Sequence, residues 1–155
     1  MKSRLIASLA LGVAVLVGTS GCALISPQAT TIEYSAAEGV NIPDSGPLQV
    51  RNALVVANED GTVGNLVAAI VNQTSDAQVL NIDLGPGVVS KSVRVPANSV
   101  VSLGSDDHEP LTLEDIDAVP GTDVQMSFQS GDADTVTTYV PVLDGQLSYL
   151  RPLAP

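Results

Sequence analysis

Cysteine, histidine, tryptophan and basic residues are all scarce in this chain of 155 residues. The single cysteine excludes an intramolecular disulfide and a cysteine-rich zinc site. The single histidine leaves little scope for nucleophilic catalysis, which needs a base beside the nucleophile. Six Lys and Arg residues against seventeen Asp and Glu residues give a formal net charge of -11. Such a charge argues against binding to a nucleic-acid backbone, and the sequence predicts neither an enzyme nor a nucleic-acid-binding protein.

Aromatic residues are almost absent, so a core has to be built from Val, Leu, Ile and Ala. Side chains two residues apart point to the same face of a strand. The spacing of Val124, Met126 and Phe128 therefore predicts a strand that buries the only Phe of the chain. The same alternation places Tyr139 on the outer face of its strand.

The start of the chain has the three parts of an export signal. Lys2 and Arg4 form a basic start, residues 5–17 carry no charge, and small residues follow. The apolar run is shorter than the roughly 20 residues that a membrane-spanning helix needs. The order of parts is typical of a secretory signal peptide, with an uncleaved anchor as the alternative.

The only cysteine, Cys22, directly follows this signal. The segment Thr19-Ser20-Gly21-Cys22 resembles the lipobox of bacterial lipoproteins. The resemblance implies cleavage before Cys22, diacylglycerol on its thiol, and acyl chains such as palmitate. It predicts a signal peptide over residues 1–21 and a lipid anchor on the extracytoplasmic face of the bacterial plasma membrane. Cleavage leaves four basic and seventeen acidic residues, a formal charge of -13.

Residues 22–47 sustain neither a helical nor a strand period. Three Pro and two Gly residues interrupt this segment, and small polar residues fill much of it. This composition predicts an extended tether between the lipid and a folded domain. Residues 31–34 alternate as an edge strand does, which is the alternative for that part.

From residue 48 onward, apolar β-branched runs alternate with clusters of turn residues. This pattern predicts one all-β domain over residues 48–155, an immunoglobulin-like Greek-key β-sandwich of seven or eight strands. For residues 111–116 we predict either one helical turn or an irregular crossing between sheets. The predicted strands are residues 48–58, 65–73, 78–84, 88–95, 99–103, 123–129, 135–143 and 146–150.

The order of these parts resembles a known group of proteins. The lipobox, the tether and the segments at 48–53, 65–72, 120–128 and 140–142 resemble small actinobacterial envelope lipoproteins of the LpqE type. More distantly, the domain resembles the periplasmic copper chaperone PCuAC. The resemblance implies an immunoglobulin-like sandwich on the outer face of the plasma membrane, with no settled biochemistry.

The copper role of the PCuAC proteins does not carry over to this sequence. Copper(I) prefers thioether and imidazole ligands, and a chaperone site gathers several of them. After signal cleavage the chain has one Met and one His. We expect Met126 in the core and His108 in a wet turn, so the sequence predicts no copper site of this kind.

An acidic loop surrounds the only histidine. Ser105, Asp106, Asp107 and His108 include the residue types of a catalytic triad, but triad members meet in space and seldom adjoin in one turn. Asp106, Asp107 and Glu109 are weak calcium candidates, because calcium takes six to eight oxygen ligands. Their spacing matches no EF-hand, and a solvated loop is the alternative.

Taken as a whole, the sequence predicts a non-catalytic, lipid-anchored envelope domain without a cofactor. Its expected partners are the membrane, through Cys22, and an envelope protein or wall component. The alternative is an extracytoplasmic metal-handling lipoprotein, either copper-chaperone-like or calcium-binding.

Overall fold

The computed structural model describes residues 37–85 and 90–155, together with residues 3–4, 6–7 and 10–12. The chain divides into two compact units, Met1–Tyr34 and Ser35–Pro155. The described residues of the first unit are helical. Within the described ranges, no helix has the length and apolar character needed to cross a membrane. Cys22, its lipobox and the tether up to residue 36 lie outside the described residues.

Eight strands and one short helix make up the described part of the second unit. This architecture confirms the predicted all-β class and the predicted number of strands. The elements are β1 (Leu48–Ala57), β2 (Val63–Asn72), β3 (Gln78–Asp83), β4 (Lys91–Val95), β5 (Ser99–Leu103), β6 (Leu111–Glu114), β7 (Asp123–Ser130), β8 (Val136–Leu143) and a 3-10 helix at Arg151–Leu153.

The strands form a mixed sheet in the order β4-β3-β7-β8-β1-β2-β5, with β6 also paired to β2. β8 pairs antiparallel with β7 and, through Val142 and Leu143, parallel with β1. β8 therefore joins the strands on its β7 side to the strands on its β1 side. The resulting sheet wraps around one apolar cluster in a barrel-like fold. β4 and β5 stand at the two ends of the strand order, so the barrel has an open side between them.

The predicted register of the core is confirmed. Met126 is fully buried, Phe128 is 2% exposed and Val124 is 8% exposed. Tyr139, on the neighbouring strand β8, is 62% exposed. The apolar face of β7 therefore points into the barrel, as its alternation predicts.

The expectation of a helical turn or irregular crossing at residues 111–116 was wrong. Leu111–Glu114 is strand β6, which pairs antiparallel with Val63–Leu66 of β2. β5 covers only Ala68–Asn72 of that long strand. The backbone N–H and C=O groups in the first half of β2 are therefore free to pair with β6, a strand distant in sequence.

The predicted last strand, residues 146–150, was also wrong. These residues form turns that lead into the 3-10 helix. Leu150 is 3% exposed and packs with Leu54 and Val56 of β1 in a small second cluster. The amide of Asn65 donates to the carbonyl of Leu153 at 2.9 Å, so the chain end lies against β2 rather than extending the sheet.

The last part of the predicted tether lies against the domain. Val40 bridges antiparallel to Ala53, and Ile42 is 3% exposed within the main core. The amide N–H of Gly39 donates to the side chain of Asn52 at 3.0 Å, at a bulge of β1 where Asn52 has a φ of 51°. The packed structure therefore begins before residue 48.

Candidate functional site

A groove of about 630 Å³ lies on the open side of the barrel, between the end strands β4 and β5. Val93, Val101 and Leu103 are the inward apolar side chains of its lining. Arg94 and Ser99 of the two strands, together with the loop after β5, supply the polar groups. The residues that line it are Val93, Arg94, Pro96, Ser99, Val100, Val101, Leu103, Asp107, His108 and Glu109.

The turn between β4 and β5 is held by a buried amide. Asn72 is 1% exposed, and its amide nitrogen donates to the carbonyls of Asp76, Val95 and Pro96 at 2.8, 3.1 and 2.9 Å. Its carbonyl oxygen accepts from the N–H and the hydroxyl of Thr74. Because one side chain ties β2 to the end of β4, Asn72 sets the position of the groove.

Asn72 is a residue whose role the sequence analysis missed. Leu66, Ala68 and Ile70 are buried at alternate positions of β2, and Asn72 continues the same alternation. A polar residue in phase with a buried apolar face was the available signal, since a buried amide needs hydrogen-bond partners.

The loop after β5 is a closed turn. Gly104 has a φ of 86°, a conformation that favours glycine, and its N–H donates to the carbonyl of His108 at 2.8 Å. The N–H of His108 donates back to the carbonyl of Ser105 at 3.3 Å. The loop therefore holds its charged side chains at one end of the groove.

The calcium candidates lie in this loop. Asp106, Asp107 and Glu109 are all exposed. Within residues 37–85 and 90–155 and the described N-terminal positions, no group of three His, Cys, Asp or Glu side chains has an arrangement that holds a metal ion. The proximity of these carboxylates in sequence does not translate into a ligand cage.

Met126 and His108, the thioether and imidazole that would remain after the predicted cleavage, have different surroundings. Met126 is fully buried on β7, so its sulfur has no access to solvent. His108 is exposed at the rim of the groove. The structure therefore does not present them together as accessible ligands.

The hydroxyl groups near the groove are engaged by the backbone. Ser99 donates to the carbonyl of Pro96 at 2.7 Å, and Ser105 donates to the carbonyl of Ser102 at 2.8 Å. Neither hydroxyl donates to His108. A serine nucleophile needs such a hydrogen bond to its general base.

Charges at the rim of the groove have no ion-pair partners within the described part of the chain, where the one salt bridge joins Arg51 and Asp44. Arg94 stands on the β4 side of the groove, and Asp107 and Glu109 stand at its loop end. All three are exposed. The groove thus combines an apolar floor with unpaired charges of both signs.

The Asp44–Arg51 pair fastens the segment that precedes β1. The Arg51 guanidinium lies 2.8 Å and 2.9 Å from the two carboxylate oxygens and also donates to the carbonyls of Ile42 and Val50. Hydrogen bonding from Arg51, helped by its charge, lowers the pKa of Asp44 below its usual value. In the same segment before β1, a hydrogen bond from Tyr149 lowers the pKa of Glu38.

No protein-family model and no curated protein match this sequence. Solved structures do match. The apo PCuAC domain from PmoF1 has a TM-score of 0.52 at 18% identity, over 65% of this chain and 97% of that one. The apo PmoF2 PCuAC domain has a TM-score of 0.52 at 17% identity, over 69% and 97% of the two chains.

A copper-bound PCuAC domain, that of PmoF2, also matches, with a TM-score of 0.50 at 17% identity over 66% of this chain and 97% of that one. These likenesses show that the chain has the fold of the PCuAC domains. The distant PCuAC-like fold expected from the sequence is thereby confirmed. At this level of identity the likeness concerns the fold alone.

Proposed function

We propose that this protein is a non-catalytic, lipid-anchored envelope lipoprotein that docks a protein or wall component in the groove between β4 and β5. The groove itself carries the proposal. It is an open groove whose lining is half apolar and half polar, and it is rimmed by charges that no described residue pairs. Binding sites commonly combine such an apolar surface with a few polar groups that fix orientation.

The lipid anchor completes the proposal and rests on the sequence. The basic start, the apolar run and Cys22 occur in the order of a lipobox, as in small lipoproteins of the LpqE type. Each buried CH₂ of an acyl chain contributes about 0.8 kcal/mol to membrane binding. Two or three chains on Cys22 therefore hold the domain at the membrane despite its formal charge of -13.

The absence of catalysis is supported by the hydrogen bonds of the hydroxyl groups near the groove. Both Ser99 and Ser105 donate to backbone carbonyls rather than to the imidazole. A nucleophile without a base remains weak.

A second candidate is copper handling, favoured by the fold shared with the copper-bound PCuAC domain of PmoF2. The residues present do not fit copper(I). Met126 is fully buried, His108 is the only histidine, and lipid occupies the thiol of Cys22 in the proposed mature protein. Copper(I) sites gather several soft ligands, so we place docking first.

Photo-crosslinking in intact cells tests the proposal. A photoreactive amino acid replaces Val100 at the groove, which is 54% exposed, or Tyr139 on β8, which is 62% exposed, as a matched control. We expect a discrete adduct from position 100 and none from position 139. A ladder that collapses on digestion of the cell wall identifies a wall polymer as the occupant. No adduct from position 100, or the same adducts from both positions, would contradict docking at the groove.

A further inference from the structure

The two edge strands beside the groove, β4 and β5, differ in how their free backbone edges are protected. β4 pairs only with β3 and β5 pairs only with β2, so each leaves one backbone edge without a strand partner in the described sheet. Natural edges are commonly protected by charged residues, especially Lys, or by Pro. β4 carries Lys91 and Arg94, whereas β5 is Ser99–Leu103 with neither a charge nor a Pro. β5 is therefore the unprotected edge.

Two hollows adjoin β5. The groove of about 630 Å³ is lined by Val101 and Leu103, which point inward, and it also reaches the exposed side chain of Val100. A shallower hollow of about 260 Å³ lies where Val100 stands opposite Val71 of β2. A strand added beside β5 would send alternate side chains into one hollow and then the other, because successive residues point to opposite faces.

We infer that β5 accepts an extended segment of a protein partner as an added strand, an inference that rests on the proposed function. Backbone hydrogen bonds to the free edge give such complexes their affinity, and pockets for alternate side chains give them specificity. The added strand carries apolar residues for the two hollows. It is short, because β5 has five residues and is bounded by the turn at Pro96 and by Gly104.

The charge of the partner follows from the loop at the end of β5. Asp106, Asp107 and Glu109 are exposed and form no ion pair within the described residues. A Lys or Arg at the end of the added strand would meet these carboxylates. A second copy of this chain is disfavoured as the occupant, since two domains of formal charge -13 repel each other.

Selection from a displayed library of random linear peptides tests this inference on the lipid-free chain with Cys22→Ser. The library is selected in parallel on a Val100→Lys variant, whose charge blocks the edge, and on Val100→Thr, a β-branched control. We expect enriched peptides that alternate apolar residues and contain Lys or Arg. Their affinity should fall at least tenfold in Val100→Lys and stay within about threefold in Val100→Thr. The preference for Lys or Arg should fade in Asp107→Asn combined with Glu109→Gln.

N-methylation of an enriched peptide at single amides separates strand addition from simple groove filling. An added strand presents every second N–H to β5. Methylation should abolish binding at alternate positions and spare those between. Equal tolerance at all positions would overturn the inference, and so would the lack of any peptide enriched over Val100→Lys.

Two further outcomes separate this inference from the function on which it rests. If no peptide is selected but the position-100 adduct persists in cells, docking stands and strand addition fails. If both fail, the docking function falls as well. Sedimentation showing a dimer that Val100→Lys dissociates would identify a second copy as the occupant and overturn the inference.

Discussion

At the scale of single residues, the buried side chain of Asn72 joins β2 to the end of β4 by hydrogen bonds. Its amide donates to the carbonyl of Asp76 in the loop between β2 and β3, and to those of Val95 and Pro96 at the turn between β4 and β5. Asn72→Ala leaves these carbonyls without their donor, and we expect the free energy of unfolding to fall by about 2–3 kcal/mol. Gln73→Ala, at the exposed neighbouring position, should change it by less than about 0.5 kcal/mol. Urea unfolding measures both, and a loss below about 1 kcal/mol in Asn72→Ala would argue against this role.

A second residue-scale prediction concerns acid stability. The pKa of Asp44 is lowered in the folded state by hydrogen bonding from Arg51. Its contribution is therefore present above the ordinary pKa of Asp and is lost as the pH falls through the lowered folded value. Because both side chains are partly exposed, at 33% and 48%, we expect Asp44→Asn to cost only about 0.5 kcal/mol at neutral pH.

The pH dependence of the stability difference between the parent and Asp44→Asn tests whether the Asp44–Arg51 ion pair is its source. The stabilities of the parent and Asp44→Asn should converge in acid. Asp132→Asn, at an exposed position outside any described ion pair, is the matched control. Denaturant titrations at a series of pH values measure the three proteins. A difference that stays constant into acid would mean that the Asp44 charge is not its source.

At the scale of elements, local alternation predicted the strands whose two faces differ. Met126 and Phe128 lie inside and Tyr139 lies outside, as the two-residue period requires. β6 escaped prediction because a four-residue strand has little pattern of its own and exists through its pairing with β2. Ile42 escaped because only Val40 and Ile42 alternate there, and two apolar residues before Pro43 are too few to establish a strand period.

The groove could not be predicted from the sequence, because it depends on which strands end the sheet. That choice is made by the parallel contact of β8 with β1 and by the order of pairing. Its parts were visible separately: the turn at Pro96 and the acidic loop around His108 both stand out in the sequence. Both adjoin the predicted strand 99–103 in the sequence. What the sequence does not show is that β4 and β5 end the sheet and leave the space between them open.

The residues that follow β8 also pack against the sheet. Leu150 packs on Leu54 and Val56 and covers the outer face of β1. Leu150→Ala should lower the free energy of unfolding by about 2–4 kcal/mol, the cost of truncating a buried Leu. Leu147→Ala, at a position that is 48% exposed, should cost less than about 1 kcal/mol. Thermal and urea unfolding compare the two, and equal small losses would show that the chain end is not part of the packed domain.

At the scale of the whole molecule, the proposed lipid anchor on Cys22 would decide where the domain works. Cys22→Ser removes the thiol that a lipobox modifies, and we expect the protein to move from the membrane fraction to the soluble extracytoplasmic fraction. Ser20→Ala, a small-for-small exchange two residues before Cys22, should leave it in the membrane. Fractionation with mass spectrometry of the N-terminus reads both results. Membrane retention of Cys22→Ser with its first residues intact would support an uncleaved anchor instead.

Copper(I) competition tests most directly whether this PCuAC-like fold serves docking rather than copper handling. The lipid-free Cys22→Ser protein is titrated against a chromophoric copper(I) chelator, so that no free thiol contributes. We expect no stoichiometric binding at nanomolar affinity, because Met126 is fully buried and His108 is the only histidine. His108→Ala should behave like its parent. One tightly held equivalent of copper, lost in His108→Ala or Met126→Leu, would contradict the docking function and establish a copper site.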